Sequence, residues 1–313
     1  MLRGQLKETH TRDKLLLPKL QQFDRLGMYA LLLKKLACPV CQASLEFEGA
    51  KSGDRLAKGL LRCSKGHLYQ VKDEIPIIKD PKMSKGEFIW KVEFPDLQRY
   101  DEVQQKYRSH LSEEQNEADK LLLSELTRKV LNEELVVDVG SGMGRLLLDL
   151  SKHLQKEATV IGTDIDEKPL RGAKLKLEEQ NSYGRVSLCV MDGKHLAVAS
   201  EEAPCITSFF GFDNIPDGRD AFREAHRVLK PNGRLALATL WLNEGSESLA
   251  LAESYGYGVM GTEDRLKEVF EETGFKFDSA KMFYSGYWPH NPMDRIPVEG
   301  DWFAHVLILA HKK

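Results

Sequence analysis

The feature that most constrains the fold is a glycine-rich turn between an apolar strand and a helix. Residues 136–145 read VVDVGSGMGR and place glycine at Gly140, Gly142 and Gly144. Glycine lets the backbone turn tightly and lets a ligand approach the main chain without a Cβ in the way. The helix after the turn offers free N–H groups in its first turn. The sequence therefore predicts a strand–turn–helix unit that can hold a small ligand.

Apolar β-type runs alternate with helical stretches from residue 135 onward. Such alternation indicates the α/β class, with a parallel sheet covered by helices on both faces. We predict strands over residues 135–139, 159–163, 186–191, 205–210, 234–240, 280–287 and 302–310. We predict helices over residues 98–132, 144–156, 167–180, 219–229 and 262–273. In the first helix the buried side is predicted to hold Leu121, Leu122, Leu123 and Leu126.

Acidic residues follow the second and third of these strands. Asp164 ends the second strand, 20 residues after Gly144, where a carboxylate can accept hydrogen bonds from both hydroxyls of a ribose. Asp192 follows the third strand and can reach an adenine edge. The alternative for both residues is structural, because aspartate commonly caps helices and turns.

At these residues the sequence resembles the class I S-adenosylmethionine-dependent methyltransferases. Their glycine loop is written E/D-x-G-x-G-x-G, and residues 138–144 fit it at every specified position. Asp164 and Asp192 match the acidic positions of the family, and AFREAHRVLKPNGRLALATL resembles its segment leading into the fifth strand. The resemblance covers roughly residues 115–313. It implies a Rossmann-like, seven-stranded methyltransferase sheet and S-adenosylmethionine as the cofactor.

The resemblance also implies a set of site residues. The main chain at Gly140 and Gly142 would lie against the methionine end of the cofactor, and Ile165 would pack on the adenine. Phe210 would line the pocket after the fourth strand. The full set of implied cofactor-binding residues is Asp138, Gly140, Ser141, Gly142, Gly144, Asp164, Ile165, Asp192, Gly193 and Phe210. No catalytic residue is assigned, because positioning of an already activated methyl donor can supply much of the catalysis.

The segment after the fourth strand departs from one branch of the family. The N/D-P-P-Y motif of amino-group methyltransferases is absent, and FFGFDN stands in its place. This argues against adenine-N6 and glutamine methylation and leaves other acceptors open. Asp213 and Asn214 of this segment would face the acceptor in this fold.

A second motif lies near the start of the chain. Cys38 and Cys41 form C-x2-C, and after a gap of 21 residues Cys63 and His67 form C-x3-H. Four thiolate or imidazole ligands on two tight turns suit tetrahedral Zn²⁺. The sequence therefore predicts a closed, structural zinc site, with three buried free thiols and a surface histidine as the alternative. The tip of the intervening hairpin, GAKSGDR, is predicted to be an exposed loop.

This segment resembles two kinds of zinc module. Ahead of a methyltransferase domain, the ligand pattern is similar to the zinc finger of bacterial rRNA guanine-N1 methyltransferases. The stretch HLYQVKDEIPIIKD more closely resembles the small zinc-binding proteins that activate tRNA and protein methyltransferases. The positions in register with that second family are Tyr69, Val71, Asp73, Ile75 and Pro76.

The remaining two of the five cysteines, Cys189 and Cys205, fall in predicted core strands and are expected to be small buried hydrophobes. An odd cysteine number and no visible signal peptide or membrane span favour a cytoplasmic protein. We predict four segments: an N-terminal helical segment (1–36), a zinc-ribbon module (37–80), a linker and helical region (81–134) and the methyltransferase domain (135–313).

Charge is unevenly distributed between these segments. The first 80 residues carry a net charge of +6 and the remainder −9, although the whole chain carries −3. A basic head can contact phosphate, or it can be a solvated surface. A methyltransferase for a small-molecule acceptor is favoured, with an RNA methyltransferase or a non-catalytic scaffold as alternatives. The oligomeric state is left open.

Overall fold

The computed structural model describes residues 28–80, 100–155, 157–182 and 185–313. Most of the predicted N-terminal helical segment and the linker up to residue 99 therefore lie outside the described residues. Within them, Met28–Tyr29 forms a short strand and Ala30–Lys35 a 3-10 helix. No helix in these ranges is both long and apolar enough to cross a bilayer.

Twelve strands form one continuous sheet. Their order is β1-β3-β4-β5-β8-β7-β6-β9-β10-β12-β11, and β2 pairs with β3 beside this path. The strands are β1 (Met28–Tyr29), β2 (Leu45–Ser52), β3 (Arg55–Cys63), β4 (Leu68–Lys72), β5 (Ile75–Ile77), β6 (Leu135–Val139), β7 (Thr159–Asp164), β8 (Val186–Val190), β9 (Ala203–Phe209), β10 (Leu229–Leu242), β11 (Phe275–Tyr287) and β12 (Trp302–Lys312).

Seven of these strands, β6 to β12, form the predicted Rossmann-like methyltransferase sheet. Strands β8, β7, β6, β9 and β10 are parallel neighbours, and β12 lies antiparallel between β10 and β11. The α/β fold class is confirmed. Because the carboxyl ends of the parallel strands meet at one edge, the loops that follow β6, β7, β8 and β9 converge there.

Helices cover both faces of this sheet. Buried side chains of α2, α3 and α4 share one core cluster with β6 to β8, and those of α5 and α7 share another with β10 and β12. The helices are α1 (Tyr100–Ser109), α2 (Glu113–Val130), α3 (Arg145–His153), α4 (Glu167–Glu179), α5 (Gly218–Val228), α6 (Glu247–Ser254) and α7 (Glu263–Thr273).

The single helix predicted over residues 98–132 is wrong, since two helices occupy this stretch. Ser112 caps α2: its side chain accepts a hydrogen bond from the Gln115 N–H at 3.1 Å, and Gln115 Oε1 accepts from the Ser112 N–H at 2.6 Å. This reciprocal capping box satisfies N–H groups that a helix start leaves free. It therefore starts a new helix at a point where composition alone shows no break.

The buried side predicted for α2 is partly wrong. Leu122 and Leu126 are completely buried, as residues one turn apart should be. Leu121 instead keeps 55% of its surface exposed, because it lies about 100° around the helix from Leu122. Leu123 is only partly buried at the margin of the same core.

The cysteine-bearing hairpins extend the sheet at the edge of β8. Ile77 of β5 pairs in parallel with Val190 of β8. Arg55 is only 1% exposed, stacks 3.6 Å from the ring centroid of Tyr29, and donates a hydrogen bond from Nη1 to the Val186 carbonyl at 3.1 Å. The division into four segments stays a prediction.

The tip of the first hairpin differs from its prediction. Most of GAKSGDR lies in β2 and β3, and only Gly53 and Asp54 form the turn between them. Gly53 adopts a positive φ of 58°, which suits a two-residue hairpin turn. The strands therefore run almost to the tip.

The packing of α2 generates a stability prediction. Leu122→Ala removes a fully buried side chain between α2 and the sheet, so the free energy of unfolding should fall by about 2–5 kcal/mol. Leu121→Ala, on the exposed side of the same helix, should change it by less than about 0.5 kcal/mol. Urea unfolding followed by circular dichroism measures both, and equal losses would contradict the assigned face.

Candidate functional site

The glycine turn after β6 adopts the backbone conformation for which glycine is needed. Gly140, Gly142 and Gly144 have φ angles of +70°, +52° and +78°, in the left-handed region. A Cβ at Gly140 would lie 2.7 Å from the Cα of Gly211, so the turn presses against the loop after β9. A Cβ at Gly142 would have no atom within 4 Å. The turn is closed on one side and open at Gly142, where a ligand can approach the backbone.

Asp138 lies beneath this turn and holds it in place. It is 1% exposed, its Oδ1 accepts from Thr207 Oγ1 at 3.0 Å, and its Oδ2 accepts from Ser141 Oγ at 2.6 Å. Ser141 Oγ also accepts from the Thr163 N–H at 3.0 Å. Burial raises the pKa of Asp138 to about 7. Of the residues predicted for the cofactor, Asp138 and Ser141 are therefore engaged with the protein itself.

Asp164 lies at the end of β7, directly opposite the open glycine. Its Oδ2 accepts from the Gly142 N–H at 2.9 Å, and its Oδ1 accepts from the Asp166 N–H at 3.0 Å. Each carboxylate oxygen has a second lone pair, so both can accept a further hydrogen bond. Burial raises the pKa of Asp164 to about 6. The geometry fits a carboxylate that receives two ribose hydroxyls beside the glycine turn.

The adenine side of the predicted site is bordered by β8 and by the chain leaving β5. Asp192 follows β8, is 4% exposed, and accepts from the Lys194 N–H at 2.8 Å, so part of its role is to close a turn. Ile165 is partly buried beside Asp164, and its carbonyl accepts from Lys79 Nζ at 2.9 Å. A Cβ at Gly193 would lie 2.7 Å from Ile215 Cδ1.

The loop after β9 carries the remaining predicted residues. Phe210 is partly buried, has a φ of +58°, and its carbonyl accepts from Asn214 Nδ2 at 2.7 Å. Asp213 Oδ1 accepts from Thr239 Oγ1 at 2.6 Å. Burial raises the pKa of Asp213 to about 7, although the side chain as a whole is only partly buried. This loop thus presents an aromatic ring and a carboxyl group beside the glycine turn.

Taken together, the loops after β6, β7, β8 and β9 bring all the predicted cofactor residues to one edge of the sheet. Sequence reasoning missed several residues that shape this edge. Thr163 and Thr207 fasten Asp138 and Ser141, and Lys79 fastens the loop after β7. Threonine and lysine carry no spacing signal of their own, so only their pairing in three dimensions reveals them.

The four predicted metal ligands also come together. The ligand atoms of Cys38, Cys41, Cys63 and His67 all lie within 4.8 Å of one another. Cys41 and Cys63 sulfurs are 3.7 Å apart, and His67 Nδ1 lies 3.5 Å from the Cys38 sulfur and 3.3 Å from the Cys63 sulfur. Tetrahedral zinc with Zn–S bonds of about 2.3 Å separates two sulfurs by about 3.8 Å. The spacing therefore fits one tetrahedral metal ion.

The surroundings of the four ligands suit thiolate chemistry. Burial opposes ionisation of Cys63, but hydrogen bonds from the backbone of His67 and Lys65 outweigh it and lower the thiol pKa to about 6. The Tyr69 hydroxyl lies 3.0 Å from the Cys38 sulfur. All five cysteines are free thiols, and Cys189 and Cys205 are completely buried in their strands, as predicted.

Comparison with known proteins supports the assignment of the domain. Residues 136–233 match the family model of the methyltransferase domain. Over 109 residues the chain is 32% identical to the demethylmenaquinone methyltransferase of Lactobacillus johnsonii, covering 35% of this chain and 45% of that protein. Over 125 residues it is 29% identical to the ubiquinone/menaquinone biosynthesis C-methyltransferase UbiE of Marinomonas sp., covering 40% and 50%. The chain thus spans about half the length of these relatives.

Solved structures show the same fold. The [4+2]-cyclase SpnF superposes with a TM-score of 0.52 at 15% identity, covering 73% of this chain and 87% of that one. A candidate methyltransferase from Bacillus halodurans C-125 superposes with a TM-score of 0.50 at 17% identity, covering 61% and 98%. At these identities the likeness shows the fold alone.

The glycine turn, the acidic residues at the carboxyl edge, the strand order and the matching family model agree with one another. The chain contains a class I S-adenosylmethionine-dependent methyltransferase domain.

Proposed function

We propose that the protein is an S-adenosylmethionine-dependent methyltransferase that modifies a small-molecule acceptor. The observation that carries the proposal is the open glycine turn with Asp164 hydrogen-bonded to Gly142 at 2.9 Å. When bound, the cofactor supplies a methyl group activated by the positive charge on its sulfur. The part of the protein is to bind, orient and desolvate the reactants.

Each residue of the site has a proposed role. The main chain at Gly140 and Gly142 lies against the methionine end of the cofactor, and Asp164 accepts from the ribose hydroxyls. Ile165 packs on the adenine, and Asp192 accepts from the adenine amino group. Gly193 and Phe210 complete the walls. Asp138 and Ser141 act indirectly, because their hydrogen bonds fix the shape of the turn.

The acceptor class is supported by the relatives rather than by the fold. The curated proteins quoted above are named for methylation in menaquinone and ubiquinone biosynthesis, which favours a quinol-type acceptor and transfer to carbon. The RNA alternative depends on the basic N-terminal residues, and these lie largely outside the described ranges. We therefore place the small molecule first.

Cofactor binding can be tested at Asp164. Asp164→Ala removes the carboxylate that meets the ribose, so the affinity for S-adenosylmethionine should fall about tenfold or more, since hydrogen bonds to charged groups contribute about 1.5–3 kcal/mol each. Asp166→Ala is the matched control: it keeps the backbone N–H that bonds Asp164 and loses only the cap of α4. Isothermal titration calorimetry measures both affinities.

Two results of this titration would contradict the proposal. Absence of binding to the unmodified protein would favour the non-catalytic scaffold. An equal loss in both variants would mean that the effect comes from the helix cap and not from the Asp164 carboxylate.

The acceptor class can be tested with a methyl-labelled cofactor. The purified protein is incubated with total RNA and, separately, with a solvent-extracted metabolite fraction supplemented with 1,4-naphthoquinol. We expect label in the small-molecule fraction and none above background in RNA. Asp164→Ala should lower the labelling, which shows that it depends on this site. Label confined to RNA would replace the small-molecule proposal with the RNA alternative.

We further propose that Cys38, Cys41, Cys63 and His67 hold a structural zinc ion. The support is their mutual spacing, which leaves no position for a fifth ligand from the protein in a tetrahedral arrangement. A bound metal would fasten β3 and the turn after Ala37 to each other. Since β3, β4 and β5 join the methyltransferase sheet, that fastening reaches the domain itself.

The metal can be tested by elemental analysis. We expect about one zinc ion per chain in the purified protein, in keeping with a single closed site. Cys38→Ser with Cys63→Ser should remove the metal and lower the thermal midpoint. Cys189→Ala with Cys205→Ala, which changes two buried thiols elsewhere, should retain it. Stoichiometric zinc in the first double variant would refute these ligands.

A further inference from the structure

Buried polar atoms without a hydrogen-bond partner gather at one corner of the described structure. They are His305 Nδ1, Trp288 Nε1 and His110 Nε2. His110 follows α1, Trp288 follows β11, and His305 lies near the start of β12. Trp288 and His305 both pack on Phe303, with ring centroids 4.7 Å and 5.3 Å away. A buried polar group that lacks a partner destabilises the fold, so three at one place point to a polar ligand.

The register of the sheet places this corner at the functional edge. His305 pairs with Leu240 near the end of β10 and with Tyr284 near the end of β11. The ring of His305 lies 5.3 Å from that of Phe210, in the loop after β9. Gly211, the next residue of that loop, is the one that presses on Gly140. The corner is thus separated from the glycine turn by a single loop.

Aromatic rings surround the imidazole. Phe210, Phe303 and Tyr284 have centroids 5.3, 5.3 and 6.2 Å from that of His305. Phe210 and Tyr284 are partly buried, so both keep some accessible surface at this edge. Rings placed in this way can hold a flat apolar body, because aromatic groups pack well on each other at such separations.

The charges near His305 compensate one another. Arg145 pairs with Asp119 at 2.5 Å and also lies over the ring of Phe209, 4.9 Å from its centroid. Burial lowers the pKa of His305 to about 4, so the imidazole is neutral at ordinary pH. Burial raises the pKa of Tyr107, which is also hydrogen-bonded to Asp294. The corner therefore favours an uncharged ligand that offers a polar group.

We propose that this corner binds the methyl acceptor, and that the acceptor is an uncharged, planar, hydroxylated aromatic molecule whose hydroxyl hydrogen-bonds to Nδ1 of His305. A hydroxyl group both donates and accepts, so it can pair with Nδ1 in either tautomer of the imidazole. The rings of Phe210 and Tyr284 hold the aromatic body. The proposal rests on the methyltransferase function proposed above and names the binding group for its acceptor.

Two probe molecules of equal size test the hydroxyl contact. The first probe is 1-naphthol, and the second is 1-methylnaphthalene, which has a methyl group in place of the hydroxyl. Binding is followed by quenching of tryptophan fluorescence and by calorimetry, with and without S-adenosylhomocysteine. For the unmodified protein we expect 1-naphthol to bind at least about tenfold more tightly, the ratio expected from one additional hydrogen bond.

Variants on one strand separate His305 from general effects. His305→Phe should reduce the affinity for 1-naphthol to that for 1-methylnaphthalene and leave the second affinity unchanged. His305→Asn, which keeps a polar atom near the Nδ1 position, should restore part of the difference. His311→Phe is the matched control on the same strand, where the side chain is partly exposed and paired with Asp278. Its affinities should equal those of the unmodified protein.

The outcomes are distinguishable from those of the cofactor test. If S-adenosylmethionine does not bind but 1-naphthol still discriminates at His305, the methyltransferase proposal fails and the pocket stands. Equal affinities of the two probes for the unmodified protein would overturn the hydroxyl contact. Failure of both probes to bind the folded protein, or a discrimination that survives His305→Phe, would overturn the proposal as well.

Discussion

The buried carboxyl group of Asp138 is the interaction on which the functional edge depends. It sits at the end of the central strand β6 and joins Ser141 of the glycine turn to Thr207 of β9. Ser141 in turn meets the backbone of β7. Three neighbouring strands are therefore aligned at their carboxyl ends through one side chain. Displacing it would move the turn relative to Asp164, although Asp138 has no free oxygen to offer a ligand.

Much of the domain could be predicted from the sequence because its signals are local. The strand–turn–helix at residues 135–153, the acidic residue after each of the next two strands and the four metal ligands depend on spacing along the chain. Each is found where spacing predicts, and the methyltransferase assignment is confirmed by the family model. Local backbone chemistry, above all the positive φ angles of the glycines, makes such signals readable.

Other features could not be predicted, because they arise from pairing between distant segments. The break at Ser112 required reading a capping box within a stretch of uniform composition. The attachment of β5 to β8 joins residues more than 100 positions apart, and no sequence pattern announces it. The polar corner at His305 combines α1, β11 and β12. A histidine alone in an apolar strand gives no sign of its neighbours, so the strand register was needed to find them.

The attachment of the cysteine-bearing hairpins has a consequence for how the domain meets other molecules. The outer side of β8 is engaged by the Arg55 guanidinium at the Val186 carbonyl and by the Ile78 N–H at the Val190 carbonyl. An unpaired strand at this position would be a template for pairing with another chain. A domain separated from residues 28–80 would expose that template. The hairpins thus act as a seal against edge-to-edge aggregation, whatever else they bind.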